Sequence, residues 1–257
     1  MDPELIEDIA RRLSRCESVL FVTGAGISAD SGLPTYRGIG GLYERADTDE
    51  GISIEAALSG AMFQRDPSLT WKYIHQIESA CREAGPNRAH RAIVELEERF
   101  ERVWVLTQNV DGLHHAAGST KVIDIHGDVH RLRCTGCGHR WRVVNYAALA
   151  IPPSCPLCDS LVRPEVVLFG EMLPVDRSRT LQSQLMMGFD AVFTIGTTSV
   201  FPYIAEPVLD AKRRGRMTVE INPGASEVSE VVDYRLRTGA ATAMDALVHA
   251  LDLSLIH

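Results

Sequence analysis

Short apolar runs rich in β-branched residues alternate along the chain with segments of helical periodicity. The runs predict strands at 18–23, 102–107, 121–126, 166–169, 190–196, 217–222 and 231–236. The helical segments lie near 4–15, 55–65, 69–83, 88–99, 176–187 and 203–214, with a closing helix from about 241. Apolar strands that alternate with helices are typical of a parallel sheet. The pattern therefore predicts an α/β fold with helices on both faces of the sheet.

Composition and charge narrow the possible classes of protein. The chain has 257 residues, of which 45% are hydrophobic, so it suits one or two domains with a substantial core rather than a disordered chain. Its net charge of −8 disfavours nonspecific nucleic-acid binding, which depends on clustered Lys and Arg. No run approaches the ~18 apolar residues that span a bilayer. The opening MDPELIEDIARRL does not resemble a signal peptide, so we expect a cytoplasmic protein.

Four of the six cysteines form two close pairs. Cys134 and Cys137 are followed, after 17 residues, by Cys155 and Cys158, which matches the C-x2-C-x15–20-C-x2-C spacing of zinc sites. Four thiolates complete a tetrahedral shell and leave no position for a substrate water, so the predicted zinc is structural. Redox chemistry is the alternative, but two pairs within one glycine-rich insertion favour the metal.

A glycine-rich turn follows the first predicted strand. Residues 24–29 read Gly-Ala-Gly-Ile-Ser-Ala and fit the G-x-G-x-x-G/A pattern of dinucleotide-binding sites, although a plain strand-to-helix turn would give the same pattern. A dehydrogenase should show a second strand with an acidic residue ~20 positions later. The chain instead continues SGLPTYRGIGGLYER, which favours a loop over the cofactor.

Polar side chains follow the second and third predicted strands. Asn109 and Asp111 come after the second strand, and His126 ends the third. Ligands of open α/β sheets bind at the carboxyl ends of the strands. Each of these residues alone is readily explained as a loop side chain. Together they predict a polar site beside the glycine turn.

These segments together resemble the sirtuin family. The matching stretches are GAGISADSGLPTYRG (24–38), TQNVDGLHHAAG (107–118), IHGDV (125–129), the cysteine pairs, VVLFGE (166–171), GTTS (196–199) and EIN (220–222). They follow the family's order and span nearly the whole chain. The resemblance implies a Rossmann-like NAD-binding domain at 1–37, 85–130 and 160–257, a cofactor loop with a small helical module at 38–84, and a zinc module at 131–159.

The resemblance also implies roles for individual residues. The implied NAD-binding residues are Gly24, Ala25, Gly26, Ile27, Asp30, Tyr36, Arg37, Gln108, Asn109, Asp111, Gly196, Thr197, Ser199 and Asn222. His126 would be the catalytic base, with Asn109 and Asp111 orienting NAD and water. The substrate would pair as an added strand with Val167, Leu168, Phe169 and Gly170. The four cysteines would hold the zinc.

The implied reaction is NAD-dependent removal of acyl groups from protein lysines. The amide oxygen of the acyl-lysine attacks the nicotinamide ribose carbon as nicotinamide leaves, which gives an alkylimidate. His126, neutral near pH 7, then removes a proton from a ribose hydroxyl so that its oxygen attacks the imidate. The products are free lysine, nicotinamide and O-acyl-ADP-ribose. The expected partner is an acyl-lysine protein or peptide, with neither nucleic acid nor membrane.

Three departures from the family pattern affect the details. Tyr36 stands where the family usually has Phe, so its hydroxyl needs a partner or solvent. The stretch GTTSVFP reaches its proline one residue sooner than usual. Members that remove acidic acyl groups carry a Tyr-x-x-Arg pair, and those positions fall on Ile74 and Ile77. Because isoleucine cannot bind a carboxylate, we expect a preference for acetyl or longer apolar chains.

Three other functions remain open on the sequence alone. An NAD-dependent dehydrogenase would share the glycine turn, but it should show the early acidic anchor. A mono-ADP-ribosyltransferase on the same fold would label its acceptor without needing an acyl group. A zinc-ribbon nucleic-acid-binding protein is suggested only by the locally basic segment 131–142 with Trp141, and the overall charge disfavours it.

Overall fold

The computed structural model describes residues 2–35 and 48–254. The strands are β1 (Ser18–Thr23), β2 (Arg102–Thr107), β3 (Val122–Asp124), β4 (Gly127–Cys134), β5 (Arg140–Arg142), β6 (Val162–Val166), β7 (Ala191–Ile195), β8 (Met217–Ile221) and β9 (Tyr234–Leu236). The α-helices are α1 (Pro3–Leu13), α2 (Ile54–Ala57), α3 (Gly60–Arg65), α4 (Pro67–Cys81), α5 (Arg88–Glu97), α6 (Leu113–Ala117), α7 (Val175–Met187), α8 (Pro202–Arg213) and α9 (Ala240–Ser254). A 3₁₀ helix covers Ala25–Ser31.

Six strands form a parallel sheet in the order β3-β2-β1-β7-β8-β9. All six residues of β1 are buried, as are all five of β7 and of β8. The strand order changes direction at β1, with β2 on one side and β7 on the other. The carboxyl ends of these strands therefore border the crevice where open α/β sheets bind ligands.

Helices cover both faces of this sheet, as the alternating pattern predicts. On one face, α1, α5 and α9 bury apolar side chains against β1, β2, β7 and β8. On the other, α7 and α8 pack with Ile123 of β3 and with Ile125, which follows that strand. Helix α5 places Ala89, Ile93 and Leu96 in the core, as its periodicity predicts. The Rossmann-like fold class is thus confirmed.

A smaller unit combines the helices α2–α4 with the antiparallel sheet β5-β4-β6. Both parts contribute to one apolar core. The indole N–H of Trp71 on α4 donates to the Val162 carbonyl at 2.9 Å, and its ring lies 5.6 Å from that of Tyr146. The helical and zinc modules of the sequence prediction are therefore packed against each other.

One predicted strand is wrong in position and in partner. The run 166–169 was expected in the main sheet, but the strand there is β6 (Val162–Val166), which pairs with β4. Residues 167–169 cross from β6 to the helical module, because the Phe169 N–H donates to the Leu58 carbonyl and the Phe169 carbonyl accepts from Gly60. An apolar run predicts that a segment is buried, but it does not predict which element the segment packs against.

No helix within the described ranges is long and apolar enough to cross a membrane.

Candidate functional site

The glycine turn joins the ends of β1 and β7. The Gly24 N–H donates to the Ile195 carbonyl at 3.0 Å, and the Gly26 N–H donates to the Gly196 carbonyl at 2.8 Å. A Cβ atom on Gly26 would lie 2.5 Å from the Gly196 Cα, and a Cβ atom on Gly196 would lie equally close to the Gly26 Cα. Neither position therefore tolerates a side chain. Glycine is required here because the loops after β1 and β7 approach each other closely. The 3₁₀ helix that starts at Ala25 therefore begins at the crevice.

Three polar side chains, two of them buried and one partly exposed, form one network beside this turn. The Asn109 amide donates to the Gly24 carbonyl and to the Ser28 hydroxyl, both at 3.1 Å. The Ser28 hydroxyl donates to the Asp111 carboxylate at 2.8 Å, and the Leu113 N–H donates to its other oxygen at 2.9 Å. Burial raises the pKa of Asp111, and these two donors oppose that shift. The network fixes Asn109 and Asp111 against the glycine turn.

A pocket opens next to this network, between the glycine turn and α4. It is open to solvent, and about 380 Å³ of space lies between its walls, including part of the open mouth. Its described lining residues are Ala25, Ser28, Leu33, Pro34, Ile77, Ala80, Cys81, Asn109, Val110 and Asp111. One side of the pocket is therefore polar and carries the carboxylate, and the side formed by α4 is apolar. Burial raises the pKa of the Cys81 thiol to about 12, so it stays protonated.

His126 lies where β3 leads into β4. Its Nδ1 lies 3.1 Å from the Gln108 carbonyl and its Nε2 lies 2.7 Å from the Tyr203 hydroxyl. Burial lowers the pKa of His126 to about 4, so the imidazole is neutral at pH 7. The following residue, Gly127, has φ +99°, and a Cβ there would lie 1.9 Å from the Glu165 carbonyl oxygen. Glycine thus allows β6 to pass directly beside the histidine.

The loop after β7 brings together several of the expected NAD-binding residues. The Gln108 amide donates to the Thr197 hydroxyl at 2.7 Å. The same hydroxyl accepts from the Ser199 N–H at 3.1 Å, and the Asn222 amide donates to the Thr197 carbonyl at 3.0 Å. Together with Gly196, these residues form a continuous rim from β7 to β8.

For five further residues expected to bind NAD, the part of the chain that the structure describes shows no side-chain hydrogen bond to the polar network. Asp30 is exposed, and its carboxylate accepts from the Ala241 N–H at 2.9 Å, at the start of α9. Ala25 and Ile27 lie on the same 3₁₀ helix, and Ile27 is fully buried. Tyr36 and Arg37 lie outside the described residues. The roles of all these side chains stay predictions.

The segment expected to bind substrate, Val167–Gly170, is held from both sides. The Val167 N–H donates to the His126 carbonyl at 2.8 Å. The Arg163 guanidinium forms a bidentate ion pair with the Glu171 carboxylate at 2.7 and 2.9 Å. The same carboxylate also accepts from the Leu168 N–H. The ion pair and the Val167 hydrogen bond therefore fix this segment next to His126.

The four cysteines converge at the tip of the small unit. Their sulfur atoms all lie within 4.8 Å of one another. The N–H groups of Gly136 and Cys137 point at the Cys134 sulfur from 3.3 Å, and the Leu157 N–H points at the Cys155 sulfur from 3.4 Å. Four clustered sulfurs with N–H donors aimed at two of them fit a tetrahedral zinc site. The predicted ligand set is thus brought together.

Several residues of the site were not singled out by the sequence reasoning. Ser28 lies inside the glycine motif, so its place between two site residues could have been anticipated from the turn. Tyr203 gives no such signal, because it is 77 positions from His126 and follows the motif at 196–199. Arg163 and Glu171 flank the expected substrate segment, and their opposite charges were the available clue.

Comparisons with known proteins point to one family. The sequence profile of the Sir2 family matches residues 24–202. NAD-dependent protein deacylase 2 of Pseudomonas aeruginosa is 48% identical over 246 residues, which cover 95% of this chain and 96% of that protein. NAD-dependent protein deacylase 1 of Archaeoglobus fulgidus is 38% identical over 248 residues, covering 96% and 97%.

Solved structures give the same result. A complex of a Sir2 homologue with NAD superimposes with a TM-score of 0.85 at 37% identity, covering 97% of this chain and 94% of that chain. A complex of Sir2 with a p53 peptide and NAD⁺ superimposes with a TM-score of 0.81 at 27% identity, covering 98% and 99%.

Proposed function

Because this chain belongs to the Sir2 family, we propose that it is an NAD-dependent protein-lysine deacylase that releases nicotinamide and O-acyl-ADP-ribose. The observation that carries the proposal is the meeting of two features in one crevice. The Ser28–Asn109–Asp111 network borders a pocket at the glycine turn, and neutral His126 is hydrogen-bonded to the neighbouring Gln108. The first feature suits cleavage of NAD, and the second suits removal of a ribose proton.

NAD is a co-substrate in this reaction. Its nicotinamide end is proposed to lie at the polar side of the pocket, beside Asp111, which leaves the apolar side formed by α4 to the acyl group. The acyl-lysine amide oxygen forms a bond to the ribose carbon while the carbon–nitrogen bond to nicotinamide breaks. Positive charge builds on the sugar during this step, and a carboxylate nearby stabilises it. Asn109, held by Gly24 and Ser28, orients the ribose and any water at the same place. The product of this step is an alkylimidate.

His126 acts in the second step. Its Nδ1 faces a backbone carbonyl that can only accept a hydrogen bond, so Nδ1 carries the hydrogen and Nε2 carries the lone pair. Nε2 takes the proton of a ribose hydroxyl, and the ribose oxygen attacks the imidate carbon. Later breakdown with water gives the free lysine and O-acyl-ADP-ribose. The low pKa of His126 keeps the base form populated across the neutral range.

The substrate backbone is proposed to bind along Val167–Gly170 as an added strand. The Val167 N–H already pairs with His126, whereas the Val167 carbonyl and the Gly170 N–H have no hydrogen-bond partner within residues 2–35 and 48–254. These two groups are therefore available to a peptide. Their position next to His126 would bring an acyl-lysine side chain directly to the base.

The acyl group is proposed to be acetyl or a longer apolar chain. Of the two isoleucines at the family's acid-binding positions, Ile77 lines the pocket and Ile74 is 2% exposed in the core of the small unit. No described lining residue of this pocket is an arginine or lysine. An acidic acyl group would thus lose its hydration without gaining a counter-charge.

Zinc, when bound by Cys134, Cys137, Cys155 and Cys158, would supply a structural cross-link and no chemistry. Cys134 ends β4, the strand that begins next to His126. Cys155 and Cys158 lie on the segment that leads into β6. The cysteines are thus suited to fix the two strands that enclose His126 and the proposed substrate segment.

Identification of the products tests the proposed function. The protein is incubated with NAD and an acetyl-lysine peptide, and the products are separated by mass spectrometry. The proposal predicts equal amounts of nicotinamide, deacetylated peptide and O-acetyl-ADP-ribose. An ADP-ribosylated peptide or protein, formed whether or not the acetyl group is present, would show instead the alternative activity of a mono-ADP-ribosyltransferase.

A further inference from the structure

Tyr203 lies in the first turn of α8 and outside the motif residues to which roles are assigned above. Its hydroxyl is 2.7 Å from Nε2 of His126. We infer that Tyr203 is a gating residue, whose hydroxyl occupies the proton-accepting nitrogen of His126 until a ribose hydroxyl of NAD displaces it. The inference rests on the proposed function, because it concerns the same base and the same proton.

The hydrogen-bonding capacity of the imidazole limits Nε2 to one donor at a time. A neutral histidine has one N–H donor and one nitrogen lone pair. The donor of His126 faces the Gln108 carbonyl, 3.1 Å away, so the lone pair is on Nε2. Because Tyr203 donates to that lone pair, a ribose hydroxyl cannot use it at the same time. The tyrosine hydrogen bond must therefore break before His126 can act as base.

Tyr203 can donate its proton but cannot replace His126 as base. Burial raises the pKa of Tyr203 to about 12, so the phenol stays protonated throughout the neutral range. Its ring is stacked against that of Phe201 at 5.5 Å, and both rings meet His126 edge-on at 5.9 Å. The hydroxyl is thus directed at Nε2 by the start of α8, and the side chain is only half-buried.

Within residues 2–35 and 48–254, the other groups around His126 do not compete for this nitrogen. From the end of β2 comes the Gln108 carbonyl at Nδ1, and from the substrate segment comes the Val167 N–H, which binds the His126 backbone carbonyl. The start of α8 supplies Phe201 and Tyr203. Among these neighbours Tyr203 is the one titratable group, so its removal changes the environment of Nε2 specifically.

Removal of the hydroxyl gives two expected effects. In Tyr203→Phe the ribose hydroxyl reaches Nε2 without displacing a competitor, which favours the second step about three- to tenfold, the range of one neutral hydrogen bond. The neutral form of His126 also loses a bond that stabilised it. The acidic limb of kcat/KM, which reports the free enzyme, should therefore move to higher pH. The acidic limb of kcat should move in the same direction, because the tyrosine still occupies Nε2 in the complex until the second step begins.

The test compares two reactions of one intermediate in the full-length protein with zinc bound. Exchange of labelled nicotinamide into NAD reports return of the alkylimidate, and O-acyl-ADP-ribose reports its forward reaction through His126. Their ratio does not depend on the amount of active protein. Tyr203→Phe should raise the forward reaction relative to exchange about three- to tenfold. Tyr234→Phe, which loses a hydroxyl bonded to Arg12 on the far side of the sheet, should leave the ratio unchanged.

Three outcomes would overturn the inference. A ratio that falls in Tyr203→Phe would show that the hydroxyl passes the proton onward and is part of the reaction. An unchanged ratio with an unchanged kcat/KM profile would show that Tyr203 only packs against His126. If the native protein neither exchanges nicotinamide nor deacylates peptides, the proposed function fails together with the inference. If the native protein is active and Tyr203→Phe behaves like it, only the gating role of Tyr203 is refuted.

Discussion

The Ser28 hydroxyl donates a 2.8 Å hydrogen bond to the Asp111 carboxylate, although the two residues are 83 positions apart. Ser28 lies on the 3₁₀ helix after β1 and Asp111 lies beyond the end of β2. The same hydroxyl accepts from the Asn109 amide. The Ser28 side chain therefore connects the glycine turn with both polar residues that are proposed to act on the nicotinamide ribose.

Loss of this hydroxyl should impair the first chemical step more than substrate binding. In Ser28→Ala, Asp111 keeps its burial but loses a donor, so its pKa rises further and less of it carries the charge needed at the sugar. We expect nicotinamide exchange to slow about 10- to 100-fold, as for loss of one oriented charge-stabilising group. The KM for the acetyl peptide should change little.

Ser31→Ala is the matched control, because Ser31 ends the same 3₁₀ helix and accepts from the Asn87 amide instead. Equal losses in the two variants would mean that the 3₁₀ helix as a whole, and not the bond to Asp111, supports the reaction.

The buried pair His90 and His114 should make the fold sensitive to acid. Their rings meet edge-on at 4.9 Å, and within the described ranges His90 Nε2 and His114 Nδ1 have no hydrogen-bond partner. Burial lowers the pKa of His90 to about 4, and that of His114 falls well below its usual value. The unfolded chain therefore binds protons more readily than the folded one. Stability is complete above about pH 6.5 and declines as the pH falls towards 4.

Comparison with His90→Gln isolates this contribution. The free energy of unfolding of the native protein should fall by about 3 kcal/mol more than that of the variant between pH 7 and pH 4, measured by urea titration. His249→Gln, at an exposed position, should follow the native profile. If all three proteins lose stability in parallel, the buried pair does not cause the acid sensitivity.

The main sheet could be predicted from sequence because its strands are buried on both faces. Such strands give continuous apolar runs, and six of the seven predicted runs lie in the parallel sheet. The small sheet gave no comparable signal. Strand β5 consists of Arg140, Trp141 and Arg142, and neither arginine is buried. Its pairing with β4 depends on contacts that a single short segment does not encode.

The site residues that lie in sequence motifs could be predicted. The site residues that come from distant parts of the chain could not. Asn109, Asp111 and His126 follow strand ends, and parallel strands bring such ends together. The contact of Tyr203 with His126 depends on where α8 begins relative to β3, which is a property of the packed layers. Likewise, Asp30 lies in a matching motif, but its carboxylate bonds the start of α9.

Acyl selectivity should follow the charge at position 77. The native pocket wall is apolar there, so acetyl and butyryl peptides should be better substrates than a succinyl peptide. In Ile77→Arg, a guanidinium would face the acyl carboxylate, and kcat/KM for the succinyl peptide relative to the acetyl peptide should rise at least about tenfold. Ile77→Met keeps an uncharged chain and should not raise this ratio. A native enzyme that prefers succinyl-lysine would refute the proposed acyl preference.

Zinc removal should unfold the small unit without a specific effect on the chemistry. Cys155 is 3% exposed and lies next to the other three sulfurs. In Cys155→Ser we expect loss of bound zinc and of about 3 kcal/mol of stability, which lowers Tm by about 10 °C. Metal analysis and thermal unfolding measure both quantities. Cys16→Ser, remote from the cluster, should retain about one zinc per chain, and full stability of metal-free protein would contradict a structural role.

The central claim is that acyl-lysine triggers cleavage of NAD and that His126 completes the reaction. Net nicotinamide release from NAD, measured with and without an acetyl-lysine peptide for the native protein and His126→Ala, tests it most directly. We expect release by the native protein only when the peptide is present, and loss of net turnover in the variant. Release that needs no acyl group, or that continues undiminished in His126→Ala, would contradict it.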